Sequence, residues 1–308
     1  MNTTPARPET EIDPATHMGP VALTVADLDR AIPFYTDVLG MQVQQRQGQT
    51  AVLGAGSRPL LRLVARPGAR PHPARATGLY HFAVLVPDRR ALARALRRLA
   101  VARYPLDGVA DHLVSEALYL SDPDSNGIEI YRDRPRADWP RTNGQIRMAT
   151  DPLDLEDLIG EIRDDTAPDT GLPPDTGMGH VHLQVADLQA AAAFYEDALG
   201  FGRIVGLPGA LFVSAGGYHH HLGLNTWQSR GGPRPPDDAA GLRYFVIEVP
   251  NAPALQRVAD RLTAAAFPFT SEPGALSTRD PWGTGVRLVA GASAAESLPE
   301  GLPDLPAG

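Results

Sequence analysis

A stretch of 23 residues occurs twice in this chain, and that repetition limits the fold more than any compositional property does. MGPVALTVADLDRAIPFYTDVLG at Met18–Gly40 and MGHVHLQVADLQAAAAFYEDALG at Met178–Gly200 share Gly, an alternating Val-Leu-Val, Ala-Asp-Leu, Phe-Tyr and Leu-Gly at a constant offset of 160 positions. The chain is therefore an internal duplication, to be parsed in repeat units. At one position the copies differ in a chemically loaded way: Pro20 in the first is His180 in the second.

Each copy opens with apolar side chains at alternate positions (Val21, Leu23, Val25), the pattern of a half-buried strand. Asp27 then stands where a helix N-cap belongs, Leu28, Ile32 and Tyr35 recur at helical spacing, and Gly40 supplies a stop. Pro33 inside that helix predicts a kink or a shifted start. Short strand candidates at Met41–Gln45, Thr50–Leu53 and Leu60–Val64 complete a β-α-β-β-β unit. A second unit follows the Pro- and Arg-rich connector at 66–77. Its first strand is Tyr80–Val86, its helix Arg89–Leu99, and its later strands Ala117–Leu120 and Ile128–Tyr131, joined by the turn sequence Asp-Pro-Asp-Ser-Asn-Gly at 122–127.

The fourth unit, from Leu242 to Val289, echoes the second as the third echoes the first. His81 matches Tyr244, and Glu129 matches Arg287. The expected class is α+β, with four βαβββ units in two tandem domains paired into open curved β-sheet cavities. The expected divisions are a disordered leader at 1–17, a first domain at 18–136, a linker with one short helix at 137–177, a second domain at 178–290 and a disordered tail at 291–308.

Composition narrows the function. No run approaches the roughly 18 apolar residues of a membrane span. The leader lacks the basic start and apolar core of a signal peptide, so a cytoplasmic location is the default. The net charge of −8 and the lack of a basic stripe argue against a nucleic-acid partner, leave small molecules as the expected ligands, and leave a homo-oligomer open. With no cysteine, any metal must be held by histidine and carboxylate.

Six of nine histidines, His81, His180, His182, His219, His220 and His221, lie in or beside predicted strands. Side chains two apart on a strand share a face, so His180 and His182 point away from Val181 and Leu183 and line a cavity if the strands curl. A single strand histidine is most often solvent-facing or hydrogen-bonded. The set is harder to dismiss, because the duplicates of His81 and Glu129 have lost them.

The βαβββ units, the V-x-D-L…FY…LG signature and the D-P-x-x-N-G-I-E-I-Y ending resemble the vicinal oxygen chelate superfamily of glyoxalases, bleomycin-resistance proteins and extradiol dioxygenases. The strings GLYHFAVLVPDR at 78–89, SEALYLSDPDSNGIEIYRDRPR at 115–136 and SAGGYHHHLGLNTW at 214–227 are most similar to catechol 2,3-dioxygenases of the Bacillus type, over about residues 17–290. The resemblance implies iron(II), with manganese(II) as an alternative, held by two histidines and one glutamate. Carried over position by position, it gives His81, His180 and Glu129 as metal ligands if units two and three share a cavity. Pairing units one with two and three with four would leave neither cavity with three ligands. The cavity built from units one and four, with Pro20, Tyr244 and Arg287, is expected to be metal-free and structural.

The same resemblance implies Tyr119 and His112 beside the bound catechol and His220 as the acid/base that serves the oxygen chemistry with O2. Strand parity would present His219 and His221 instead, so His220 requires a bulge or a shortened strand. His182 and Trp227 are expected as lining residues. Two other readings are weighed against ring cleavage: a glyoxalase-type metal lyase or isomerase, which usually has more carboxylate ligands, and a metal-free protein that sequesters an aromatic or peptide-like compound.

Overall fold

The computed structural model describes residues 11–291 and 298–305. Four βαβββ units follow one another along the chain. Unit one comprises β1 (His17–Val25), α1 (Leu28–Pro33), β2 (Gln42–Gln47), β3 (Thr50–Ala55) and β4 (Arg58–Ala65). Unit two comprises β5 (Gly78–Leu85), α2 (Arg89–Val101), β6 (Gly108–Asp111), β7 (Ser115–Ser121) and β8 (Gly127–Asp133). A connecting segment carries the two-residue strands β9 (Arg141–Thr142) and β10 (Gln145–Ile146) and the helix α3 (Leu155–Gly160). Unit three comprises β11 (Gly177–Gln184), α4 (Leu188–Ala192), β12 (Gly202–Leu207), β13 (Ala210–Ser214) and β14 (Leu222–Asn225). Unit four comprises β15 (Gly241–Val249), α5 (Ala252–Ala264), β16 (Phe269–Glu272), β17 (Ala275–Arg279) and β18 (Gly285–Ala290).

The units do not pair in sequence order. One eight-stranded sheet runs β16-β17-β18-β15-β1-β4-β3-β2 and joins units four and one; the other runs β12-β13-β14-β11-β5-β8-β7-β6 and joins units three and two. At the centre of each sheet two first strands meet antiparallel, β1 with β15 and β5 with β11, with a register shift early in each ladder.

The tandem neighbours are tied by helix-to-turn bonds instead. Tyr35 of unit one donates to Asp122 of unit two at 2.8 Å, and Tyr195 of unit three donates to Asp280 of unit four at 3.1 Å. Both tyrosines sit on a π-helical turn, Phe34–Val38 after α1 and Ala193–Ala198 after α4. Pro33 precedes the first turn, but Ala193 opens the second, so the wide turn belongs to the scaffold and not to the proline.

Asp27 and Asp187 cap α1 and α4 as their position requires, each accepting a backbone N–H of the first turn. The acidic connector also has a physical partner: Arg89, Arg94 and Arg98 on α2 reach Asp157 and Glu161, Asp165, and Asp169 respectively.

Two terminal segments differ from the expectation of disorder. Of the leader, residues 1–10 lie outside the described residues, whereas Ile12 is buried, its N–H bonds the Gly200 carbonyl at 2.7 Å, and His17 already belongs to β1. Of the tail, 292–297 and 306–308 lie outside the described residues, whereas Leu298 and Leu302 pack against Tyr244, Val246 and Ala275 on the sheet of units one and four. A few apolar side chains suffice where a concave sheet face has nothing else to cover it.

Candidate active site

Cross-strand register brings the candidate residues into one patch. On the sheet of units two and three, His180 of β11 lies opposite Ala83 of β5, Ala83 beside Glu129 of β8, and Glu129 opposite Tyr119 of β7; His182 lies opposite His81 one step along. All project from one face, because residues two apart on a strand and direct cross-strand partners share a side. Ala83 is the small residue between His180 and Glu129, and its methyl leaves room for their side chains to meet.

The meeting is close. His180 Nε2 lies 2.9 Å from Glu129 Oε2, His81 Nε2 lies 3.1 Å from the same oxygen, and the two Nε2 atoms are 3.3 Å apart. The three residues are 1%, 2% and 6% exposed for His180, Glu129 and His81. Burial by itself would raise the Glu129 pKa, but His180 and His81 outweigh it and hold the carboxyl well below its usual range. Burial lowers His81, with the Glu129 carboxylate opposing. Three lone-pair atoms close together inside the protein form a donor set able to hold a metal ion, and among the described residues these three are the one such group of histidine and carboxylate side chains.

Around the cluster lies a cavity of about 660 Å³, lined by His81, Glu129, Tyr119, His112, His220 and Trp227 among others. His112 Nδ1 donates to the Ala149 carbonyl at 2.6 Å, which leaves Nε2 to accept from the Tyr119 hydroxyl at 2.7 Å. Burial, reinforced by Glu129, raises the Tyr119 pKa well above its usual value, so the phenol stays protonated.

The three consecutive histidines are separated by the start of the strand. β14 begins only at Leu222, so His219–His221 are free of strand alternation and the parity objection to His220 does not apply. His220 lines the cavity, its ring centre 4.1 Å from that of His180. Behind it runs a chain that sequence inspection did not reveal: Asp133 Oδ1 accepts from His219 Nε2 at 2.8 Å, and His219 Nδ1 meets His220 Nδ1 at 2.9 Å. With the His219 proton fixed on Nε2 by the carboxylate, its Nδ1 accepts from His220, and the free nitrogen of His220 is Nε2. Burial and the surrounding His180 and His219 hold the His220 pKa well below its usual value, so the ring is neutral. Asp133 also accepts from Tyr218, whose hydroxyl bonds that of Tyr131 at 2.6 Å. Asp133 carried a hint in sequence, standing four residues after Glu129 in EIYRD, but only the fold places it behind His219.

His221 is turned away, bonded to Ser214 and the Ala215 N–H, with burial lowering its pKa to about 3. His182 accepts from Asn225 Nδ2 at 3.1 Å, meets Tyr80 edge-on and lines the cavity, as expected. Trp227 stands at the mouth, 52% exposed. No helix of the described residues is long and apolar enough to cross a membrane.

Comparison with known proteins accords with this architecture. The model of the Glyoxalase/Bleomycin resistance protein/Dioxygenase superfamily matches residues 17–130 and 177–288. Catechol-2,3-dioxygenase of Bacillus subtilis (strain 168) is 46% identical over 278 residues, which cover 88% of this chain and 96% of that protein. Among solved structures, a putative dioxygenase from Bacillus subtilis subsp. subtilis str. 168 superposes with TM-score 0.62 at 14% identity, covering 91% of this chain and 86% of that one. Glyoxalase I from Zea mays superposes with TM-score 0.56 at 18% identity, covering 90% and 93%. The two structures share the fold, the vicinal oxygen chelate arrangement of paired βαβββ units; the Bacillus sequence speaks to the enzyme. The chain is a catechol-2,3-dioxygenase-like enzyme and belongs to the Glyoxalase/Bleomycin resistance protein/Dioxygenase superfamily.

Proposed function

We propose that this enzyme is an extradiol dioxygenase that uses iron(II), held by His81, His180 and Glu129, to open a catechol ring next to the diol with O2, giving a semialdehyde acid. The observation that carries the reading is the convergence of the two Nε2 atoms and one carboxylate oxygen within 3.3 Å in a buried site. Neighbouring ligand atoms at right angles on bonds of about 2.1 Å stand about 3.0 Å apart, so separations of 2.9, 3.1 and 3.3 Å suit a single first-row ion. Two imidazoles and one carboxylate on one face are the donor set of non-haem iron(II) oxygenases. Held there by His81, His180 and Glu129, iron(II) would supply open coordination positions and one-electron chemistry for the reaction of a diol with O2.

The protein's own groups do the rest. Tyr119, whose proton is committed to His112, accepts a hydrogen bond from a substrate hydroxyl and orients the ring. His220, neutral and with Nε2 free, takes a proton at that nitrogen when the diol ionises and returns it during O–O cleavage. Asp133, through His219, keeps the His220 tautomer that makes this possible. Trp227, Tyr80 and Phe212 give the cavity aromatic walls that suit a flat ring and exclude water.

The reading is tested by loading the protein anaerobically with iron(II), adding catechol and admitting air. A yellow ring-fission product is expected; no colour with any simple catechol, in protein that retains one iron per chain, would sink it.

A further inference from the structure

A second cavity of about 360 Å³ opens where β5 and β15 begin, at Gly78 and Gly241, and shares no lining residue with the cavity around Glu129. Four arginines, Arg66, Arg234, Arg243 and Arg279, contribute to its wall, against the one carboxylate of Asp237. In a chain of net charge −8 this excess of cations is a local feature. Several arginines elsewhere are matched to acids: Arg132 and Arg134 to Glu116, Arg98 to Asp169, Arg203 to Glu196. In this cavity only Arg234 is so paired among the described residues, with Asp237 at 2.6 Å.

The other three guanidiniums meet neutral oxygens. Arg66 donates to the Asp237 carbonyl, Arg279 to the Gly283 carbonyl at 3.3 Å, and Arg243 to the Glu300 carbonyl at 3.0 Å and the Thr24 hydroxyl at 3.1 Å. Asp237, Gly283 and Thr24 are themselves wall residues, so the guanidiniums lie at the cavity surface. Arg234 closes over the same spot, since a Cβ on Gly283 would come within 3.1 Å of its Nε. An arginine carries five N–H donors and no acceptor, so most of the donors gathered here have no protein partner among the described residues. Arg243 is the costliest to leave in this state, because it is partly withdrawn from water and an anion would offset its desolvation. Burial lowers its pKa; the Glu300 carboxylate and Tyr244 oppose the shift, and Arg66 and Arg62 add to it. Trp282, Pro235 and Pro236 add a flat apolar side to the wall. The volume lies at the lower end for small-molecule sites, enough for a ringed acid and more than a bare inorganic oxyanion needs.

We propose that this cavity is a binding site for a small organic carboxylate, its carboxyl group held by Arg66, Arg243 and Arg279 and its carbon body against Trp282 and Pro236. The site is separate from ring cleavage, and heat of binding reads it whether or not catechol is turned over. Calorimetric titration of the full-length metal-loaded protein compares benzoate, its neutral counterpart benzamide, and inorganic phosphate. Benzoate should bind, and Arg66→Gln and Arg279→Gln should each weaken it roughly tenfold, the effect of losing one charge-assisted contact. Both variants should keep the parent melting temperature and ring-cleavage rate, because neither side chain is buried and neither lines the metal cavity. Benzamide binding as tightly as benzoate, or benzoate affinity unchanged in both variants, would overturn the proposal. Phosphate binding more tightly than benzoate would overturn the organic ligand.

Discussion

The two sheets were built from the same units and have come to opposite uses. On the sheet of units two and three, His180, His81 and Glu129 crowd one concave face and leave a cavity beside it. At the equivalent positions of the other sheet stand Pro20, Tyr244 and Arg287, and Leu298, Pro299 and Leu302 lie against that face. Tyr244 donates to the Pro299 carbonyl at 2.5 Å, Arg62 to the Leu298 carbonyl at 2.6 Å, and Arg287 pairs with Glu272. Even the spacer differs: Ala83, which lets His180 and Glu129 meet, is Val246 beside Arg287. The scaffold fixes where side chains converge, and three substitutions decide whether lone pairs or a phenol and a cation converge there. A site of this kind is cheap to gain or lose, since neither sheet's ladder depends on it.

The largest expected effect removes that difference from the reactive side. Glu129→Ala takes away the one anionic member of the proposed donor set, and because changing partners behind ligands already costs 10–100-fold in metal affinity or activity, losing a ligand should exceed about 100-fold. Iron measured by elemental analysis after desalting should fall below a tenth of the parent, with ring cleavage lost in parallel. Parental iron in the variant would mean that Glu129 is not a ligand and that the two sheets differ less than their geometry indicates.

Next in size is a variant that separates chemistry from metal binding. His220→Ala should lower kcat by roughly 100- to 10,000-fold, the range for loss of a proton-transferring group, at parental iron content. Asp133→Asn should do less, about tenfold, because it disturbs His220 only through the His219 tautomer. Its pH–rate profile should shift while KM stays, which a merely structural Asp133 would not produce.

A third effect compares the matched aspartates of the helix-to-turn ties. Asp280 is raised by burial from 3.8 to about 6, although Tyr195 and two backbone N–H groups oppose the shift. The folded protein therefore favours the protonated carboxyl. This contribution is complete below about pH 3.8 and is lost as pH rises through 6, a loss on the order of 3 kcal/mol by pH 7. Asp280→Asn should flatten the pH dependence of the melting temperature between pH 4 and 7. An unchanged slope would place the titration elsewhere.

Much of this was legible in sequence because duplication supplies its own control. The repeat gave the units, and the loss of His81 and Glu129 at their duplicates marked them as chemical and not structural. Positions on strands could be assigned to faces from alternation alone, which is why His180 and His182 were correctly turned away from the apolar side. Pairing of units two and three could be stated only as a condition, since which edges meet is decided by long-range packing that no local pattern encodes. β6 carries only Val109 and Ala110 as apolar residues and gives no alternation to detect. The His219–Asp133 link joins residues 86 apart, and the packing of Leu298 and Leu302 depends on a concavity that exists only after the sheet of units one and four forms.

The smallest expected effect tests the quiet sheet. Burial raises the Tyr244 pKa to about 12, so the phenol is a neutral donor, and its bond to the Pro299 carbonyl is a polar contact between the sheet and the segment that fills it. Tyr244→Phe keeps the ring packed against Val246 and Leu298 but leaves that carbonyl unpaired, at a cost of about 1 kcal/mol. The melting temperature should drop by a few degrees at most, and iron content and ring cleavage should match the parent, because Tyr244 stands where His81 stands but lies outside both the cluster of His81, His180 and Glu129 and the cavity beside it. A loss of iron on this substitution would mean that the two faces communicate and that the division into one reactive and one filled sheet is wrong. A loss of stability well above 1 kcal/mol would instead show that residues 298–302 hold the sheet in shape, with the hydroxyl as their main anchor.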